Sequence, residues 1–322
     1  MPSLKEIKNR ISSVNSTRKI TSAMKMVASS KLHHAQVMIE NMLPYESMLE
    51  HILKSFLASE VDATTVYSTE RPVKRVALIV YSSSSSLCGG FNANVIKAML
   101  QAVDGYEKLG KENIVIYPIG RKVAEAASKR GLQCADVCDV MPDKPDIHSC
   151  IALAESLAKR FVDGDIDRVE IIYHHFKSAG SQILTRKSLL PIDVQSELEF
   201  DDERDLTSNI ATLEAQEYLR KKGHRATNAE KEEAKPLNDN FIVEPDMASV
   251  LAMLIPKLLH LMVYTALLDS IASEHAARMV AMQTATDNAD ELLRELNLQY
   301  NKSRQQAITN ELLDIVGGSV NN

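Results

Sequence analysis

The sequence predicts an α/β fold extended by long helices: an antiparallel coiled coil of the N- and C-terminal helices, with a small central α/β domain of Rossmann-like type between them. Three observations predict it. Small, apolar or weakly polar residues recur at 3-4 spacing through Met279, Met282, Thr286, Ala289, Leu293, Leu296, Tyr300, Ser303 and Ala307, which keeps one face of a helix turned toward a partner helix. The first stretch shows the same rhythm through Leu4, Ile7, Ile11 and Val14, then Ile20, Met24 and Val27, then Leu32, Ala35, Ile39, Met42, Leu49, Leu53 and Phe56. Between the two, the period changes to short apolar runs alternating with helical segments.

Taken in order, the first helix is predicted from about Ser3 to about Ala58, roughly 80 Å of rod. Ser3 followed by Glu6 forms a capping box that satisfies the first free backbone donors. Pro44 inside the pattern predicts a kink or break, because it removes a hydrogen bond and crowds the preceding turn. Residues 74–192 then hold short buried strands at Val76 to Val80, Ile114 to Tyr117 and Val169 to Tyr173, with a fourth at Gln182 to Leu190. Helical segments near 92–108, 120–130 and 147–162 alternate with them, so the sheet is expected to be mainly parallel. Residues 197–240 are polar, with an acidic run at Gln195 to Asp205, a basic one at Arg220 to Arg225 and a mixed one at Glu230 to Glu233. An exposed, partly disordered insertion with one short helix at 210–222 is expected there. The last helix opens at Glu244-Pro245-Asp246, with proline in its first turn and an acid at the positive end of its dipole. Pro256 is expected to bend its start and Gly317-Gly318 to end it. The chain therefore divides at 1–58, 74–192, 197–240 and 245–322.

Composition agrees with long helices: 5% aromatic, no Trp, and only 11 Gly and 10 Pro in 322 residues. The net charge of −6 is unevenly spread. Lys5, Lys8, Arg10, Arg18, Lys19, Lys25 and Lys31 are opposed only by Glu6 before residue 35. Such a stripe is either a solvated face or a contact for an acidic partner, and it does not amount to general nucleic-acid affinity. The basic, Ser-rich start also fits a mitochondrial presequence, but the helical pattern runs on past residue 34 with no cleavage-like site. The richest apolar run, Leu251 to Leu268, is interrupted by Pro256, Lys257 and His260, so no transmembrane segment is read. Asn15-Ser16-Thr17 and Asn301-Lys302-Ser303 match the glycosylation pattern, yet both fall inside predicted helices with no secretory signal.

Local chemistry is sparse. Ser82 to Gly90 follows the first strand and precedes a helix, where an α/β fold would cradle a phosphate. It is neither G-x-G-x-x-G nor G-x-x-x-x-G-K-[ST], so a tight structural turn and a nucleotide site are the two readings, with the turn preferred. Cys88, Cys134, Cys138 and Cys150 have no CxxC spacing, which favours reduced structural thiols over a metal or redox centre. His33-His34 and His174-His175 are adjacent pairs whose side chains point apart, so neither pair chelates one metal. No Ser/His/Asp, Cys/His or paired-carboxylate arrangement stands in a recognisable context.

Both ends carry a resemblance. Lys19-Ile20-Thr21-Ser22-Ala23-Met24-Lys25-Met26-Val27-Ala28 resembles the N-terminal helix of the γ subunit of F-type ATP synthase. Ser273 to Met279, Asn301 to Leu312 and the Ile315-Val316-Gly317-Gly318 close resemble that family's C-terminal helix, and Leu87-Cys88-Gly89-Gly90-Phe91-Asn92 its central motif. Where relatives usually carry Asp-Arg-Gly before that motif, this chain has Ser84-Ser85-Ser86. The resemblance implies a central rotor standing in a ring of α and β subunits. Its foot would rest on the membrane c-ring beside the ε subunit, and it would carry no catalytic residue, metal or cofactor. By motif match, Arg304, Gln305 and Thr309 fall where the family's shaft touches loops of the ring. Met24 and Lys25 are expected opposite them on the first helix, in a region implicated in coupling. The apolar end, Leu312 to Val316, would suit a hydrophobic bearing. Lack of a presequence points to the cytoplasmic side of a bacterial plasma membrane, with peripheral attachment. Two other classes stay open: a non-catalytic coiled-coil adapter unrelated to the synthase, and a nucleotide-dependent enzyme built on Ser82 to Gly90.

Overall fold

The computed structural model of the chain describes residues 3–58, 66–135, 145–192, 244 and 246–320. It comprises two compact units, Met1–Ala28 with Arg278–Asn322, and Ser29–Ala277. The 197–240 insertion lies outside the described residues.

The larger unit is built on one five-stranded sheet. In chain order its strands are β1 (Val76–Tyr81), β2 (Ile114–Ile119), β3 (Gln133–Cys134), β4 (Arg168–Ser178) and β5 (Ser181–Leu190), arranged β3-β2-β1-β4-β5. β1 pairs in parallel with β2 and β4, and β2 with β3, while β4 and β5 form an antiparallel hairpin. Fully buried strands such as Val76–Tyr81 read as continuous apolar runs because both faces of the sheet are covered. On one face lie α2 (Phe91–Gly105) and α3 (Arg121–Lys129), where Leu78, Val80, Ile116 and Ile172 pack with Val95, Met99 and Val123. The other face meets α4 (Ile147–Val162) and the long last helix α5 (Met247–Val320). There Arg160 of α4 donates to the Tyr117 hydroxyl, and the Tyr81 hydroxyl donates to the Val263 carbonyl of α5 at 2.8 Å.

Two elements differ from the sequence expectation. β3 is an extra strand of two residues, too short to show a period. β4 extends to Ser178 because His174, His175 and Phe176, read only as polar or isolated positions, are buried members of it.

The helix ends follow from their caps. Ser3 Oγ accepts from the Glu6 amide at 3.2 Å, so the first helix, α1 (Leu4–Ala58), opens where the capping box put it. Asp246 accepts from both the amide and the hydroxyl of Ser249, fixing the start of α5. The break considered at Pro44 does not occur: α1 is one helix through it, with Pro44 on an exposed face and Ile39, Leu49 and Leu53 buried. Burial of that stripe outweighs the single lost hydrogen bond. α5 likewise continues through Pro256, and past Gly317-Gly318 to Val320, two residues beyond the expected stop. Its apolar run is long enough to cross a membrane by length and composition. In this unit Leu251, Ile255, Leu258, Leu259, Val263 and Leu267 are instead core residues.

The smaller unit is a two-helix coiled coil. Its α5 seam lies where the heptads placed it, with Met282, Ala289 and Leu296 buried and Thr286, Leu293, Tyr300, Ser303 and Ala307 half-buried between them. The α1 seam is corrected. Ile20 and Val27 are 60% and 58% exposed, and the buried positions are Ile7, Thr21 and Ala28, with Ile11, Val14, Arg18 and Lys25 half-buried. An unbroken 3-4 step from Val14 reaches 18, 21, 25 and 28, so the seam passes through polar residues where apolar ones one position away had suggested a skip.

Candidate functional site

Polar contacts set the register of the coiled coil. Thr21 Oγ1 and Thr286 Oγ1 share a hydrogen bond of 2.8 Å inside the seam, and the Thr286 hydroxyl also reaches the Met282 carbonyl at 2.8 Å. One turn away, Arg18 Nη1 donates to Asp290 Oδ1 at 2.8 Å. Antiparallel stepping from these pairs puts Lys25 beside Met282 and Ile11 beside Leu296.

That register separates the five expected contact residues into two stations. Met24 and Lys25 are half-buried on α1, level with Met282. Arg304, Gln305 and Thr309 are exposed on α5, where the Thr309 hydroxyl donates to the Gln305 carbonyl at 2.9 Å. Between residues 282 and 304 of α5 lies about 33 Å of helix. Met24 and Lys25 therefore do not stand opposite Arg304, as the motif match had suggested; the start of α1 near Leu4 does. Motif position along each helix says nothing about register, whereas the opposite charges of Arg18 and Asp290 were a signal that could have set it.

Beyond Ala307 the apolar stripe leaves the seam. Ile308, Leu312 and Leu313 are exposed, in keeping with the one-place slip read in the sequence. Lys5, Lys8, Arg10 and Lys19 are exposed along α1, while Arg18 is engaged with Asp290.

The other candidate site, Ser82 to Gly90, is a turn held by internal hydrogen bonds. The Ser83 amide donates to Asn92 Oδ1, the Val123 amide to Ser82 Oγ, the Lys122 amide to the Ser83 carbonyl and the Ser82 amide to the Ile119 carbonyl. Asn92 Nδ2 also reaches the buried Cys88 sulfur at 3.1 Å. Leu87 takes a left-handed backbone, φ +68°, to close the turn. Gly120, φ +94°, must be glycine, because a Cβ there would lie 2.1 Å from the Ser82 carbonyl oxygen. The Ser82 and Ser83 amides thus face protein acceptors, and the Lys122 and Val123 amides of α3 tie the turn to the next helix, as in a structural turn.

The adjacent histidines of β4 are buried on opposite faces of the sheet. His174 stacks on Phe91 with centroids 4.5 Å apart, and burial draws its pKa down to about 4. His175 Nδ1 meets Asp269 Oδ2 of α5 at 2.7 Å. His33 and His34 are exposed on α1. Among the described residues no group of three or more His, Cys, Asp or Glu is placed to hold a metal ion, and Cys88, Cys134 and Cys150 form no disulfide, the first and last buried and Cys134 exposed.

The ATP synthase family profile matches residues 3–320. A curated relative from Phocaeicola vulgatus, an ATP synthase gamma chain, is 51% identical over 320 residues, covering 99% of this chain and all of its own. Gamma chains from Bacteroides fragilis and Bacteroides thetaiotaomicron are 52% and 51% identical over the same length. Among solved structures, a chain of the Euglena gracilis mitochondrial ATP synthase shares the fold with a TM-score of 0.60 at 17% identity, covering 98% of this chain and 93% of its own. A chain of the Tetrahymena thermophila central stalk and c-ring has a TM-score of 0.53 at 22% identity, covering 83% and 99%. The likeness runs through both helices, the sheet and the Leu87 to Asn92 turn together, and on it the chain belongs to the ATP synthase gamma-chain family.

Proposed function

We propose that this chain is the central rotor shaft of an F-type ATP synthase, coupling proton flow through a membrane c-ring to the conformational cycling of catalytic β subunits. It makes and breaks no bond itself and needs no cofactor. Its partners are the α and β subunits of the surrounding ring, the ε subunit and the c-ring. Nucleic acid is not among them, and attachment to the membrane is peripheral, through the complex, on the cytoplasmic side of a bacterial cell. Residues 1–58 and 245–322 supply the shaft, 74–192 the foot, and 197–240 an insertion.

The observation that carries this reading is the continuous antiparallel seam from Ile7 to Ala28 against Met279 to Tyr300, joined to family membership over the whole chain. A two-helix shaft resists twisting, and an asymmetric one offers each surrounding subunit a different face, biasing each toward a different state as it turns. Met24 and Lys25 form one contact station and Arg304, Gln305 and Thr309 another. Supporting the first is its place beside the hydroxyl layer of Thr21 and Thr286, where the seam is least apolar. The exposed Ile308, Leu312 and Leu313 fit a hydrophobic bearing.

Affinity purification of the tagged chain from gently solubilised native membranes tests the proposal. Stoichiometric α, β and ε subunits in an ATP-hydrolysing complex are expected. Recovery of the chain without them would overturn it in favour of a coiled-coil adapter. A nucleotide titration of the isolated chain tests the enzyme alternative, and no binding is expected.

A further inference from the structure

We propose that the Val263 to Ser273 segment of α5 is the joint through which torque passes between the α/β domain and the shaft, with His175 and Asp269 as its positioning residues. This rests on the rotor reading above and names the load path that reading requires.

An apolar sheet face holds a helix by burial, which is non-directional. Ridges and grooves allow several neighbouring seatings, so burial resists separation far better than sliding or rolling. A rotor loaded about its axis needs the second kind of resistance. Among the described residues, at least three polar ties supply it here. The Tyr81 hydroxyl of β1 donates to the Val263 carbonyl at 2.8 Å. His175 of β4 meets Asp269 at 2.7 Å, and Ser273 Oγ donates to the His174 carbonyl at 3.2 Å. Asp269 and Ser273 are four residues apart and so share one face of α5. They engage consecutive residues of a single strand, one through its side chain and one through its backbone. The tie at Val263 is set on a different strand about 15 Å along the helix from Ser273. Ties to two strands at separated heights oppose rolling as well as sliding. From Asp269, α5 continues as one helix to Val320.

The choice of side chains supports the assignment. The His175 and Asp269 side chains are only 7% and 2% exposed, so the pair is sealed between β4 and α5. An apolar pair of similar volume often replaces a buried ion pair with little loss of stability. Folding alone therefore does not call for this pair; a fixed seating of α5 on β4 does.

The test uses the whole synthase reconstituted in vesicles, with the chain unaltered, carrying His175→Phe with Asp269→Leu, or carrying Ser273→Ala. Torsional stiffness is read from the angular fluctuation of a probe on the stalled rotor, and coupling from ATP-driven proton uptake per ATP hydrolysed. With either tie removed, the angular fluctuation of the probe is expected to widen and proton uptake per ATP to fall, with ATP hydrolysis unchanged. Exchange of the pair, His175→Asp with Asp269→His, should restore both. Unchanged fluctuation and coupling in the folded double variant overturn the proposal. If the double variant does not assemble, unchanged stiffness in Ser273→Ala overturns it equally. Failure of the unaltered chain to assemble with α and β would instead overturn the rotor reading, and the joint with it.

Discussion

His174 makes the stability of the α/β domain depend on pH in a direction fixed by its burial. Stacked on Phe91 and sealed in β4, it holds its proton only below about pH 4, against 6.5 for the exposed ring of an unfolded chain. Below pH 6.5 the unfolded state therefore binds more protons than the folded one, and stability falls as the pH falls. The contribution is fully present above pH 6.5 and is lost between there and pH 4. For this one group the loss amounts to about 2 kcal/mol on going from pH 8 to pH 5, and about 3 kcal/mol below pH 4. His174→Phe keeps the stacked ring and removes the titration. At pH 8 the variant is expected within about 1 kcal/mol of the parent. At pH 5 it should be more stable than the parent by about 2 kcal/mol relative to that baseline. Urea unfolding followed by tyrosine fluorescence suits the measurement, since the chain has nine Tyr and no Trp. Taking the difference between variant and parent cancels the other titrating groups. Parallel loss of stability in the two proteins between pH 8 and pH 5 would refute the reasoning.

Other expectations follow from the same geometry. Leu296→Ala, at 3% exposure in the seam, should cost about 2–4 kcal/mol in thermal or denaturant unfolding, whereas Leu298→Ala, at 67%, should change little. A double-mutant cycle on Thr21→Val and Thr286→Val should show a coupling of about 1 kcal/mol, and a coupling near zero would remove their hydrogen bond from the account of register. Gly120→Ala should sharply reduce the yield of folded chain, because the new Cβ collides with the Ser82 backbone. Met24→Lys places a second charge next to Lys25, and in the assembled synthase it should raise the barrier to rotation-limited turnover and lower pumping efficiency. If both quantities stay at parental values, the contact role of Met24 is wrong.

The sequence made the long elements legible and the polar ones obscure. The α5 seam could be read residue by residue because Met282, Ala289 and Leu296 are all small or apolar and no competing stripe lies beside them. On α1 the stripe passes through Arg18, Thr21 and Lys25, so hydrophobicity alone chose the exposed Ile20 and Val27 instead. Helix α4 matched to the residue, since Asp146 caps it by accepting from Ser149 and its apolar stripe is uninterrupted. The buried histidines of β4 were missed because a sequence shows side-chain polarity but not the partner that offsets it, Phe91 in one case and Asp269 in the other. The two proposed contact stations could be named from motifs, but their separation along the shaft depends on a helix-to-helix register that no single helix contains.

The continuity of α5 through the coiled coil makes length, more than identity, the constrained quantity there. Each residue turns the helix by about 100°. One residue inserted between Leu296 and Arg304 would leave Met282 and Ala289 in the seam and swing the whole exposed station of Arg304, Gln305 and Thr309 to another side, although no existing side chain had changed. Seven inserted residues would nearly restore its bearing and move it about 10 Å farther out. The shaft thus works as a dial as well as a rod: many single substitutions along its exposed face alter one contact, while a single-residue insertion changes where every later residue points.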